Sequence, residues 1–227
     1  MLTLKDVLHR RAAVQCLGMC GWKVLPRTQE LMMTTDCMTT RASCSKVMGA
    51  VALRNPETLP DFPQDALLTM KKAMTEIPDP VTKVASMSAL AQIAGGDMAN
   101  GHLGNEKALQ IIVDLGSDSE DVSLLMSVAN ALASIARSNP QWKERIMDDM
   151  EKMQEEKKGI EGFDMVGGIL RTQLMTLSGG VRGRDFPEPS NAGLGGGFAD
   201  NWGFGDDDDD DDDEDWDSVA ADMKKRK

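Results

Sequence analysis

Side chains able to do chemistry are few in this chain, and their spacing limits what they can do. Four cysteines and two histidines are the whole supply of thiol and imidazole ligands. Cys16 and Cys20 stand one helical turn apart, whereas Cys37 and Cys44 are spaced like no metal pair, and His9 and His102 are remote from a cysteine pair. Structural zinc takes two close ligand pairs, so the pattern predicts no metal site and reduced, mostly buried thiols. Asp148 and Asp149 fall on the polar side of a helical pattern and read as a solvated face. "GLGGGFADNWGFG" is glycine-rich but lacks the Gly-Lys-Ser/Thr ending and strand–helix frame of a phosphate loop. There is no nucleophile elbow, and two histidines give a hydrolase triad little material. The expectation is a chain that is not an enzyme and that holds neither cofactor nor metal.

What remains is binding chemistry, and it concentrates at the C-terminus. Phe198, Trp202 and Phe204 precede the aspartate run from Asp206 to Asp213, and Glu214, Asp215, Trp216 and Asp217 follow it. An indole among acids is the usual form of a short linear motif: the ring fills a pocket while the carboxylates steer towards a basic rim. The competing readings are a plain solvating tail and a polyanion that shields basic proteins. Lys224, Lys225, Arg226 and Lys227 end the chain. They read as a nuclear-import signal, as a dilysine signal for a trafficking coat, or as a basic end folded back on the acids. From Asp200 onward 13 acids face 4 bases, so only −3 of the net charge of −12 belongs to the rest. That body has no basic stripe, which argues against direct contact with nucleic acid.

The body must position any site, and it reads as helical from residue 1 to 178. Leu, Met, Ala and Val do the packing, because there is no Tyr and little Phe or Trp. "DVSLLMSVANALASIA" places Val122, Leu125, Val128 or Ala129, Leu132 and Ile135 on one face, with Asp118 or Ser119 offered as N-cap. Asn139-Pro140 stops this helix and starts "PQWKERIMDDMEKMQEEKK". "DPVTKVASMSALAQIA" followed by "NEKALQIIVDL" has the same layout, as does "SCSKVMGAVAL" followed by "PQDALLTMKKAMTEI". "VMGAVA" at 47–52, "ALAQIA" at 89–94 and "ALASIA" at 131–136 recur every 42 residues. Their small residues let helices approach closely, and stacked copies would share one core.

This period and pattern resemble the armadillo and HEAT families of α-solenoid repeats over residues 38–157. The resemblance implies an all-α, armadillo/HEAT-like solenoid of three to four repeats, and the Gly/Pro-rich, acidic composition after residue 178 predicts a disordered acidic C-terminal tail. Armadillo receptors for basic import peptides carry Trp with Asn four residues later. Here Ile146 stands at that distance from Trp142, so Trp142 is expected to be a packing residue. A linker with acidic Trp motifs and a dibasic end is also similar to the C-terminal half of the Scy-like pseudokinase scaffolds, which work in coat-dependent traffic.

The expected organisation is a repeat domain at 1–178, a Gly/Pro-rich linker at 179–205 and an acidic tail with a basic end at 206–227. No stretch has membrane-spanning length, and the chain is expected in the cytoplasm, with the nucleus as the alternative. "VLHRRAAVQCLGMCGWKVL" is apolar on one face, so this end is expected to dock on another protein. The function so read is a protein-binding scaffold or adaptor. The alternatives are a nuclear chaperone for basic partners and a coat-dependent vesicle-trafficking adaptor.

Overall fold

Caps and proline stops cut the chain into short helices, as the sequence predicts. The computed structural model describes residue 2 and residues 6–179, so the acidic tail, nearly all of the linker and the aromatic and basic residues singled out in them lie outside the described residues. Among the described residues are nine α-helices and no strand, an all-α fold. They are α1 (Val7–Met19), α2 (Leu25–Thr34), α3 (Met38–Arg54), α4 (Gln64–Glu76), α5 (Pro80–Gly95), α6 (Glu106–Asp118), α7 (Val122–Ser138), α8 (Lys143–Glu156) and α9 (Phe163–Leu177). No helix among the described residues is long and apolar enough to cross a membrane.

The odd-numbered helices pack side by side in chain order, the even-numbered α2, α4, α6 and α8 do the same, and each row lies against the other. The recurring hexapeptides explain the odd row. All three sit late in α3, α5 and α7, and every residue in them is buried except Gln92 and Ser134. Gly49 shows why small residues are needed: a Cβ there would stand 2.6 Å from the Gln92 side-chain oxygen. The hydroxyls of Ser45 and Ser86 meet at 2.9 Å in the resulting seam. Leu67, Met70, Leu109, Ile112, Ile146 and Met150 fill the space between the rows from the even side. Trp142 is partly buried against this core, a packing residue as expected.

A second device also recurs. Asp79 caps α5, accepting from the backbone N–H of Val81 (3.0 Å) and Thr82 (3.3 Å). Asp121 caps α7 through Ser123 (3.0 Å) and Leu124 (3.3 Å). Each carboxylate also takes a cation from the preceding odd helix, Arg41 at 3.5 Å and Lys83 at 2.7 Å. One side chain thus caps a helix and ties it to its neighbour.

In the N-terminal apolar stretch the chain turns at Gly21 (φ 65°), and α2 begins with Pro26 in its first turn. Three sequence expectations need correction here. The α7 N-cap is Asp121, because α6 runs on through Asp118. Of the four thiols only Cys44 is buried; Cys16, Cys20 and Cys37 are exposed. Asp149 is not a solvated acid, since one carboxylate oxygen is buried without a hydrogen-bond partner and burial raises its pKa.

Candidate functional site

The two rows of helices differ in charge. α1, α3, α5 and α7 contain no acidic residue, and α9 contains only Asp164. They carry Arg10, Arg11, Arg41, Lys46, Arg54, Lys83, Arg137 and Arg171. The acids collect on the even row, where α8 alone holds Glu144, Asp148, Asp149, Glu151, Glu155 and Glu156. A nearly neutral body is therefore polarised: the odd row is net positive, while the even row, which also carries Arg27, Lys71, Lys72, Lys107, Lys143, Arg145 and Lys152, is net negative.

Several of those cations have local partners. Arg41 meets Asp79 and also donates to the carbonyls of Met32 (3.3 Å) and Thr35. Lys83 pairs with Asp121. Arg54 donates to Gln15 of α1 at 3.2 Å, and Arg137 donates to Gln173 of α9 at 2.9 Å. These contacts lock neighbouring odd helices to each other. Arg10 and Arg11 of α1 lie near enough to Lys46 of α3 to act on its charge. Burial depresses the Lys46 pKa, and repulsion from Arg11 and Arg10 depresses it further. The acid nearest in sequence, Asp6, caps α1 and lies 3.0 Å from the His9 Nδ1.

From this cationic end the exposed edge of the odd row continues as small polar groups. Lys46, Ser88, Asn130 and Thr172 occupy equivalent places at 42-residue steps. All four reach solvent, while the residues flanking Ser88 and Asn130 in sequence are buried. One turn earlier on α5 and α7 come Val84 and Met126, and one turn later Gln92 and Ser134, all half-buried. This strip is amphiphilic: cations at one end, with aliphatic and hydrogen-bonding side chains along it.

A separate chemical feature lies at the start of α3. The N-cap Cys37 thiol is exposed, and its Sγ lies 3.2 Å from the Thr39 hydroxyl. That hydroxyl, then the Thr40 side chain and backbone N–H, stabilise the thiolate, and the pKa falls to about 6. Cys37 is therefore mostly thiolate at neutral pH. Among the described residues no three metal-binding side chains come together.

Sequence reading passed over the strip because it weighed charge over the whole body rather than helix by helix. The signal was present: "MTTRASCSKVMGAVALR" and "PVTKVASMSALAQIAG" lack any acid, while α6 carries three and α8 six.

No protein-family model matches the chain, and no solved structure matches it. Two curated proteins do. A bilin biosynthesis protein, CpeZ, of a Synechococcus species is 30% identical over 135 residues, covering 60% of this chain and 68% of the relative. The chain belongs to the CpeZ family. A phycocyanin operon protein Z of Pseudanabaena tenuis, itself uncharacterised, is 25% identical over 138 residues. The match covers 61% of this chain, and the chain spans only 61% of that relative's length.

Membership of the CpeZ family overturns several sequence expectations. The relatives are cyanobacterial proteins of bilin biosynthesis and a phycocyanin operon, not armadillo/HEAT proteins or Scy-like scaffolds. The scaffold or adaptor, the nuclear chaperone and the vesicle-coat adaptor fall with that resemblance, because the relatives are named for bilin biosynthesis and a phycocyanin operon. The error has a physical source. Any stack of short helices needs small residues at a fixed period, so a shared beat reports packing and not ancestry.

Proposed function

We propose that this chain serves bilin biosynthesis by binding a bilin on its odd-numbered helices, without itself making or breaking bonds. The observation that carries this reading is the relationship to a protein named for bilin biosynthesis. The odd-row strip supplies the fitting surface. A bilin is an open-chain tetrapyrrole, flat and conjugated, with N–H groups along its length and propionate carboxylates as its charged groups. Val84 and Met126 offer aliphatic contact to the pyrrole planes, Ser88 and Asn130 offer hydrogen bonds, and the cations lie at one end. On the even row α8, with six acids against three bases, would repel the propionates.

A second reading makes the chain a catalyst acting through a thiolate, and Cys37 favours it. An exposed thiolate is the form that attacks an electron-poor conjugated double bond. Adding biliverdin to the full chain separates the two. Binding without chemistry predicts saturable induced circular dichroism in the visible band, unchanged in Cys37→Ser, and no mass increase. A covalent bilin adduct at Cys37 would establish the second reading. The absence of any induced signal at high biliverdin excess would contradict both.

A further inference from the structure

We propose that Cys16 and Cys20 of α1 form a two-thiolate site for a soft monovalent d10 cation of the copper(I) type. The site is independent of the bilin surface. Gly18 sets its orientation: a Cβ there would stand 2.8 Å from the Ala50 Cβ, so that side of α1 is pressed onto α3. At about 100° per residue, Cys16 and Cys20, two positions before and after Gly18, both point away from the contact. Both thiols are exposed. Cys20 keeps right-handed helical backbone (φ −75°, ψ −6°) although α1 ends at Met19. Its thiol donates to the Cys16 carbonyl at 3.4 Å, so the side chain turns back over the Cys16 turn and does not follow the chain into the Gly21 bend. Residues four apart on a helix hold their Cβ atoms about 5–6 Å apart. Two metal–sulfur bonds of about 2.3 Å each can span that gap.

The donor set decides the ion. Zinc in a structural site holds four ligands in a tetrahedron, and α1 offers one pair. His9 precedes Cys16 by almost two turns and is engaged with Asp6 at 3.0 Å. Neither α1 nor the Gly21–Val24 turn after it contains a carboxylate, so a hard cation finds no charged oxygen donor there. Thiolates select soft ions, and a monovalent d10 cation is satisfied by two of them in line. On binding, two S–H bonds break, two sulfur–metal bonds form and two protons leave to the buffer, with no change of oxidation state. The product carries one net negative charge. Arg54, which donates to Gln15 beside Cys16 in the chain, and Lys23, three residues after Cys20, offset it. The C-terminus of α1, with the partial negative charge of its last carbonyls, favours the cation itself. Cys37 is the contrasting case: the next thiol on α3, Cys44, is buried and two turns away.

The test is anaerobic competition for copper(I) between the reduced full chain and the chelator ferrozine. The unaltered protein should take one ion per chain. Loss of an outer-shell partner already costs a metal site about 10–100-fold, so Cys16→Ser and Cys20→Ser should each weaken binding by at least about 100-fold. Cys37→Ser should change neither stoichiometry nor affinity. The double variant should bind no more weakly than either single one, because one thiolate cannot chelate. Serine at position 20 keeps a donor for the Cys16 carbonyl, and both positions are exposed, so unfolding temperatures should stay within about 2 °C and separate ligand loss from misfolding. Equimolar zinc should leave the copper in place. The proposal is overturned if the protein takes no copper from ferrozine, or if either single variant stays within about threefold of the unaltered affinity. It is equally overturned if the two losses add in the double variant, if Cys37→Ser abolishes uptake, or if zinc displaces the copper.

Discussion

Gly104→Ala is expected to lower the unfolding temperature by at least about 8 °C, a loss near 4 kcal/mol. Gly104 is buried in the turn between α5 and α6. A Cβ built on it would lie 1.7 Å from the Ala94 carbonyl oxygen and 2.6 Å from the Ala94 carbonyl carbon. Both are backbone atoms of α5, so no side chain can swing aside. The turn is pinned on both sides of the clash. Asn105 N–H donates to the Ile93 carbonyl at 2.9 Å, and the Asn105 side chain donates to the Leu59 carbonyl at 2.8 Å while accepting from Ala108 N–H at 2.9 Å. Relief requires α6 to move away from α5, opening a core that holds Leu109 and Ile112. Gly101→Ala in the same turn is the control. Gly101 has φ 79°, but a Cβ on it meets nothing within 4 Å. Its cost is the left-handed backbone alone, about 1 kcal/mol, or about 2–4 °C. Thermal unfolding by circular dichroism checks both, and a Gly104→Ala protein as stable as Gly101→Ala would refute the close approach.

Asp79→Ala is expected to cost about 2–4 kcal/mol at neutral pH, through two losses at one site. The α5 N-terminus loses its acceptor for Val81 and Thr82 N–H, and Arg41, 13% exposed, loses its carboxylate. Burial alone would raise the Asp79 pKa. The Thr82 hydroxyl and N–H, the Val81 N–H and the Arg41 charge outweigh it, and the pKa lies below the ordinary value. A depressed folded-state pKa means that the stabilisation is present above about pH 4 and is lost as pH falls through the folded value. The gap in unfolding temperature between Asp79→Ala and the unaltered protein should therefore be widest at pH 7 and narrow towards pH 3. Asp79→Asn keeps an acceptor for the helix and should fall between the two at pH 7. A gap that stays constant with pH would show that the carboxylate charge contributes nothing.

How much of this could be read from sequence follows from the distance over which each signal acts. The hexapeptides marked the odd helices because close packing of α3, α5 and α7 demands small residues at those very positions. Asn139-Pro140 and Asp79-Pro80 marked helix boundaries through local backbone chemistry. Asp118, Ser119 and Asp121 were all chemically able to cap α7, and only the length of α6 chose among them. The exposure of Cys16 and Cys20 depends on α1 being flanked by one odd helix and not two, which no local pattern records. The convergence of Arg10, Arg11 and Lys46 needs α1 beside α3, a contact across more than 30 residues. The eye-catching chemistry of the sequence, from Trp202 to Asp217, drew attention away from helices whose informative property is the acids they lack.

The most direct test is amide NMR on isotope-labelled full-length chain titrated with biliverdin. The odd-row account predicts that shift changes gather at Arg11, Lys46, Val84, Ser88 and Asn130 and saturate together. Changes gathered instead on α4, α6 and α8, or none at saturating biliverdin, would contradict it.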